Sequence, residues 1–194
     1  MPKYTFDLNL AIFGHESAYP DLVAEAFGGM VNPKLDAEFD GAIFVINPNT
    51  GIDQETIENW QKLDEFVLPR LIVVTDLEKD AADFDDAVLM ANRLFDQVAT
   101  PYLVLHGDDG IPCAVISLFD MMVTDYSTVP PIKRACEPEH ETLVQEFRDE
   151  YIELVTALGE GAFAAGVLFP AIPLWLEKNL GTDIVISYLN QLKK

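Results

Sequence analysis

The sequence has few basic residues and no long apolar run. Its 12 lysines and arginines stand against 33 aspartates and glutamates, which gives a formal net charge of −21 at pH 7. Such a charge repels phosphates and argues against direct nucleic-acid binding, whereas it favours a basic protein partner. No stretch approaches the roughly 18–20 apolar residues of a membrane span, and the N-terminus has no apolar signal core. We therefore expect a cytoplasmic protein that does not contact a membrane.

Cysteine and histidine are scarce as well. Cys113 and Cys136 lie in different segments without metal-site spacing, so we expect reduced thiols. The three histidines follow no metal-binding or catalytic pattern, and we expect neither a metal nor a cofactor. By contrast, 49% of the 194 residues are apolar, enough for the core of one α/β domain with a small insertion.

Strand and helix patterns alternate along most of the chain. Buried strands are predicted at 6–13, 41–47, 71–74 and 167–169, with helices after them, which is typical of a mostly parallel, doubly wound sheet. Between about 101 and 160 the pattern changes to short antiparallel strands and an acidic helix, 138–158, whose Leu143, Phe147, Val155 and Leu158 we expect to face inward. The predicted fold class is α/β with a core of residues 1–100 and 161–194 and a small α+β insertion at 101–160.

The loop between the first strand and the first helix occupies the place of a phosphate-binding loop. Such a loop needs a pattern like G-x-x-x-x-G-K-[ST]. Here Gly14 is present, but Tyr19, Pro20 and Asp21 replace the second glycine, the lysine and the hydroxyl residue.

These replacements oppose the binding of an anion. Pro20 has no N–H group, Tyr19 is bulky, and Glu16 and Asp21 bring negative charge. We expect Glu16 or Asp21 to cap the first helix in place of a phosphate.

Several separated stretches, in the right order, carry a resemblance to a known family. They are 40–46 (DGAIFVI), 51–60 (GIDQETIENW), 69–70 (PR), 82–85 (ADFD), 110–126 and 178–181 (KNLG). Together they resemble the G domain of the translational GTPase elongation factor G, with the extra subdomain that marks this factor. The resemblance implies a P-loop GTPase-like fold over most of the chain.

The sequence departs from that family in its working parts. His15 stands in the degenerate phosphate loop, and the guanine-reading Asn-Lys-x-Asp motif is replaced by Thr75-Asp76-Leu77-Glu78. Only residues 28–39 remain where the family has its first switch, two strands and a magnesium-associated turn. The Ser-Ala motif before the last helix is not recognisable near residues 174–176. We therefore expect no GTPase activity.

The acidic helix is the best candidate for a binding surface. Its outer side carries several carboxylates: Glu139, Glu146, Asp149, Glu150 and Glu153. In the family the inserted subdomain contacts a basic domain of the ribosomal stalk protein, so the resemblance implies a protein-docking role. The sequence thus predicts a pseudo-GTPase that binds a basic protein, such as a ribosomal or translation-factor component. Two alternatives stay open: an acidic inhibitor or immunity-type protein with a basic target, and a residual GTP-binding translation factor.

Overall fold

Six parallel strands form the main sheet of the protein. The computed structural model describes residues 3–36, 38–78, 83–95 and 97–193. In spatial order the strands are β2 (Met30–Val31), β1 (Leu10–Phe13), β3 (Gly41–Ile46), β4 (Arg70–Val74), β10 (Phe169–Pro173) and β5 (Val98–Ala99). Every residue of β1, β3 and β4 is buried, as continuous apolar strands between two helical layers require.

Helices cover both faces of this sheet. Alternate strand residues such as Ile12 and Ile43 pack with α1 (Pro20–Phe27) and α5 (Thr182–Asn190). Their neighbours Phe13 and Phe44 pack on the other face with α2 (Gln54–Leu63) and α3 (Phe84–Leu94). The doubly wound α/β fold predicted from the sequence is confirmed.

A second sheet lies in the chain between β5 and β10. It is antiparallel, in the order β6 (Tyr102–His106), β7 (Pro112–Ser117), β8 (Met122–Asp125) and β9 (Ile132–Ala135). The acidic helix α4 (Pro138–Leu158) follows it. The position of this unit agrees with an insertion, whereas the boundaries 101 and 160 stay a prediction.

Several local predictions were wrong. The first strand begins at Leu10 rather than Phe6, because Phe6 and Leu8 pack against the core from outside the sheet. The strand predicted at 167–169 instead runs from Phe169 to Pro173. In α4, Val144 is buried, whereas three residues predicted to face inward are exposed: Leu143, Phe147 and Leu158.

The short segment 28–39 contains β2 (Met30–Val31). β2 has two residues and pairs in parallel with β1 at the edge of the main sheet. Residues 79–82, which include part of the ADFD stretch, lie outside the described residues. Within the described residues, no helix is long and apolar enough to cross a membrane.

Candidate functional site at the carboxyl ends of the strands

Four neighbouring strands, β1, β3, β4 and β10, end side by side at one edge of the main sheet. Ligands of open α/β sheets bind at this edge, where the strand order reverses. The loop after β1, here called the Gly14–Asp21 loop, lies at this point because β2 and β3 flank β1 on opposite sides. A Cβ atom at Gly14 would come within 2.7 Å of the carbonyl oxygen of Val45, so the loop starts with a close backbone approach that suits glycine.

The backbone N–H groups of the loop are largely used within the chain. The N–H of Gly14 donates to Asn32 Oδ1 at 3.2 Å, and that of Ser17 donates to His15 Nδ1 at 3.2 Å. The N–H groups of Ala18 and Tyr19 donate to the carbonyls of His15 and Glu16, because residues 16–18 form a 3₁₀ turn. Pro20 supplies no N–H. These donors therefore do not form an open cradle for an anion.

Side chains at the ends of β3 and β4 hold the carbonyl groups of the same loop. Asn47 Nδ2 donates to the carbonyl of Ser17 at 2.7 Å and to Asp76 Oδ2 at 2.9 Å. Thr75 Oγ1 donates to the carbonyl of Ala18 at 2.8 Å. Asn47, Thr75 and Asp76 are all buried. The loop is thus fastened to the ends of β3 and β4 by hydrogen bonds that need no ligand.

The start of α1 differs from the prediction. Tyr19 is the residue before the helix, in the left-handed region with φ of 60°, and no side chain caps the helix. The prediction that Glu16 or Asp21 caps α1 was therefore wrong. Pro20 is the first helical residue, a position that proline favours, and Asp21 lies in the first turn, where a negative charge suits the helix dipole.

A small pocket of about 220 Å³ lies beside the amino-terminal half of the loop. Three carboxylates, from Glu16, Asp53 and Glu55, line it together with His15 and Asn32. Asp53 also caps α2 by accepting the N–H of Thr56 at 2.8 Å. Among the residues described, no group of three or more His, Cys, Asp or Glu side chains is arranged to hold a metal ion.

A second pocket, here called the strand-end pocket, lies between α1 and the segments after β4 and β10. Its volume is about 230 Å³. Its lining residues are Tyr19, Leu22, Val23, Thr75, Asp76, Glu78, Leu174, Trp175, Leu176 and Glu177. The structure therefore brings the altered guanine motif next to the segment 174–177, with Thr75 and Asp76 buried and Glu78 exposed.

The acidic residues of α4 lie elsewhere in the fold. Glu139, Glu146, Asp149, Glu150 and Glu153 are all exposed. Glu150 lines a separate groove with the exposed ring of Phe147 and with Val98 at the end of the main sheet. The α4 surface is thus distinct from the strand-end pocket.

The sequence analysis missed two asparagines of the site: Asn47, which bonds the Gly14–Asp21 loop, and Asn49, which bonds Asp76. Asn47 was predicted as the last residue of the strand 41–47, and Asn49 lies in the stretch Pro48-Asn49-Thr50-Gly51, whose composition indicates only a turn. Asn49 Nδ2 lies 3.3 Å from Asp76 Oδ2, and Thr50 Oγ1 lies 2.8 Å from Ser17 Oγ. The available signal was an amide residue directly after a buried parallel strand, at the edge where ligands bind.

Comparison with known proteins agrees with the resemblance. No protein-family model matches the sequence. An elongation factor G-like protein of Mycobacterium tuberculosis, from the strains CDC 1551 / Oshkosh and ATCC 25618 / H37Rv, is 27% identical over 184 residues. The alignment covers 84% of this chain and 25% of the relative, so the chain spans about a quarter of the relative's length.

A solved structure supports the fold. The crystal structure of a Thermus thermophilus protein matches with a TM-score of 0.69 and 20% identity over 80% of this chain and 27% of that chain. The resemblance found in the sequence is confirmed: the chain is homologous to an elongation factor G-like protein and has a G-domain-like α/β fold.

Proposed function

We propose that this chain is a pseudo-GTPase, a G-domain-like module without GTP hydrolysis that acts by binding a basic protein partner in the cytoplasm. The observation that carries the proposal is the Gly14–Asp21 loop, which is fastened by its own hydrogen bonds. In a working phosphate loop, backbone N–H groups and a lysine hold the phosphates. Here the N–H groups of Gly14, Ser17, Ala18 and Tyr19 donate within the chain.

The electrostatics of the loop favour the same proposal. Glu16, Asp53 and Glu55 line the pocket beside the loop, and Asp21 adds a fourth carboxylate at the start of α1. A charge-assisted hydrogen bond contributes about 1.5–3 kcal/mol. If three hydrogen bonds from the loop to the phosphates are lost, nucleotide binding weakens by roughly a thousandfold or more, because about 1.4 kcal/mol corresponds to each factor of ten.

The α4 surface supports the binding part of the proposal. Two exposed apolar side chains, Leu143 at 73% and Phe147 at 53%, stand one helical turn apart among the exposed carboxylates. Apolar anchors on a mostly acidic helix suit a partner surface that is apolar at its centre and basic at its rim. Homology to an elongation factor G-like protein favours a partner from the translation machinery.

Two assays test the proposal. Phosphate release from GTP with magnesium is expected to stay at the rate of the buffer alone. Charge reversal of Glu146, Glu150 and Glu153 to lysine should leave the circular dichroism spectrum unchanged, because lysine and glutamate have similar helix propensities. It should also abolish capture of a basic partner from lysate, identified by mass spectrometry.

A matched variant controls for net charge. Reversal of Glu25, Glu58 and Glu65, three exposed acids outside α4, adds the same charge to the molecule. We expect this variant to capture the partner as the wild type does. Measurable GTP turnover would refute the proposal that the chain is non-catalytic. Equal loss of capture in both triple variants would refute the proposal that α4 binds the partner.

A further inference from the structure

We propose that the strand-end pocket binds the side chain of an arginine presented by a basic protein segment. This inference rests on the proposed function, since it assigns a recognition element for a basic partner at a site separate from α4. It follows from the charge, the aromatic rings and the fixed shape of the pocket.

The described lining of the pocket combines negative charge with apolar surface. Asp76, Glu78 and Glu177 contribute three carboxylates, and the described lining includes no basic side chain. Asp76 already accepts hydrogen bonds from the amides of Asn47 and Asn49. Glu78 and Glu177 are exposed. A cationic ligand is therefore favoured over an anionic one.

Aromatic and aliphatic side chains provide the rest of the wall. Tyr19 and Leu22 line the pocket and are 43% and 49% exposed, so their apolar surface is accessible to a ligand. Leu174 and Val23 are buried beneath them. A guanidinium group stacks on aromatic rings, and the methylene stem of arginine packs along apolar surface.

Trp175 already pairs with a cation of this chain. The Nζ atom of Lys178 lies 4.1 Å from the centre of the Trp175 ring. The indole thus has an environment in which a positive charge is favourable on its face. Arginine suits the pocket better than lysine, because its planar group can stack on a ring and donate two parallel hydrogen bonds to one carboxylate.

The backbone around the pocket is fixed without a ligand. The N–H of Leu174 donates to the carbonyl of Val74 at 2.8 Å, and Trp175 and Leu180 exchange two hydrogen bonds of 3.0 and 3.1 Å. These bonds tie the segment after β10 to β4 and close its loop. A preformed pocket lowers the entropic cost of binding.

The test uses the whole chain labelled with ¹⁵N and the peptide acetyl-Gly-Arg-Gly-amide. We expect saturable NMR shifts in the Trp175 indole N–H and in the backbone amides of residues 174–177 and 22–23. The same peptide with citrulline keeps the shape of arginine but lacks its charge, and should bind at least about tenfold more weakly. E78Q/E177Q should weaken binding of the arginine peptide by about tenfold or more, whereas the matched variant E58Q/E65Q, at exposed acids outside both the pocket and α4, should bind it as the wild type does.

The inference would be overturned if the arginine peptide caused no localised NMR shifts, or if the citrulline peptide bound as tightly as the arginine peptide. It would also be overturned if both double variants lost the same amount of affinity for the arginine peptide, or if guanosine bound more tightly than the arginine peptide at the same residues. Spectral dispersion of each variant shows whether it is folded. GTP turnover with arginine binding intact would refute the proposed function and leave this inference standing, so the two failures are distinguishable.

Discussion

Arg70 is a buried cation whose contacts illustrate how single residues fix this fold. Its side chain is 3% exposed, and its guanidinium lies 4.2 Å from the ring centre of Trp60 and 4.3 Å from that of Phe169. Nη1 donates to the carbonyl of Trp60 at 3.1 Å and pairs with Asp64 Oδ1 at 2.6 Å. Arg70 thus joins the end of α2 to the starts of β4 and β10.

Substitution of Arg70 should be costly mainly through lost stacking. We expect R70A to lower the free energy of unfolding by about 3 kcal/mol, since it leaves a cavity between two rings. R70K should cost about 1–2 kcal/mol because lysine keeps the charge but not the planar group. D64N should cost less than about 1 kcal/mol, because Asp64 is 45% exposed and its ion pair is screened by solvent. Urea denaturation measures all three, and a D64N loss as large as that of R70A would show that the ion pair dominates.

At the scale of elements, helix α4 shows what sequence periodicity can and cannot predict. Its bounds, Pro138 and Leu158, agree with the sequence, because proline favours a first helical turn and Gly159 follows the last one. The prediction that Leu143 faces inward was wrong, because the helix packs on a narrow antiparallel sheet through Val144 and leaves Leu143 exposed. A helix with apolar residues on more than one side has no unique inward face in its sequence.

The neighbouring residues Val144 and Leu143 of α4 allow a direct comparison of a buried and an exposed side chain. V144A should lower the free energy of unfolding by about 1–3 kcal/mol, because it removes buried methyl groups. L143A should change it by less than about 0.5 kcal/mol, because the leucine side chain is in solvent and alanine is a good helix former. Thermal or urea unfolding of the two variants measures the difference. The reverse order of stability would place Leu143 in the core.

The candidate site, too, could be predicted only in part from the sequence. The main sheet could be predicted from its continuous apolar strands, and the loop after β1 from the position of Gly14. The hydrogen bonds of Asn47 and Thr75 to that loop could not, since they depend on the lateral order of β1, β3 and β4. Side-chain contacts between strands far apart in sequence are set by the tertiary fold.

For the whole molecule, a group of tyrosines joins the inserted sheet and α4 to the core. Tyr126 donates to Asp183 Oδ1 of α5 at 2.6 Å, and burial is the main cause that raises its pKa. Burial also raises the pKa of Tyr102 to about 12, and it raises the pKa values of Tyr151 and Tyr188. These phenols stay protonated in the folded chain at pH values where the unfolded chain loses their protons.

The difference in phenol pKa between the folded and the unfolded chain predicts that the protein becomes less stable at alkaline pH. Because the pKa of Tyr102 is about 12 in the folded chain and near 10 when unfolded, its contribution is fully present below pH 10 and declines as pH rises toward 12. We expect the free energy of unfolding to fall by on the order of 1 kcal/mol from this residue between pH 10 and 11. Urea titrations at pH 9, 10 and 11 measure the slope. Y102F should reduce this slope, and equal slopes in wild type and Y102F would contradict the prediction.

We infer that the Gly14–Asp21 loop, closed by its own hydrogen bonds, has lost its affinity for nucleotide phosphates. Isothermal titration of the whole chain with GDP and magnesium tests this claim most directly. We expect no heat of binding at micromolar nucleotide, because Pro20 lacks an N–H and the N–H groups of Gly14, Ser17, Ala18 and Tyr19 donate within the chain. A dissociation constant in the micromolar range or below would contradict it.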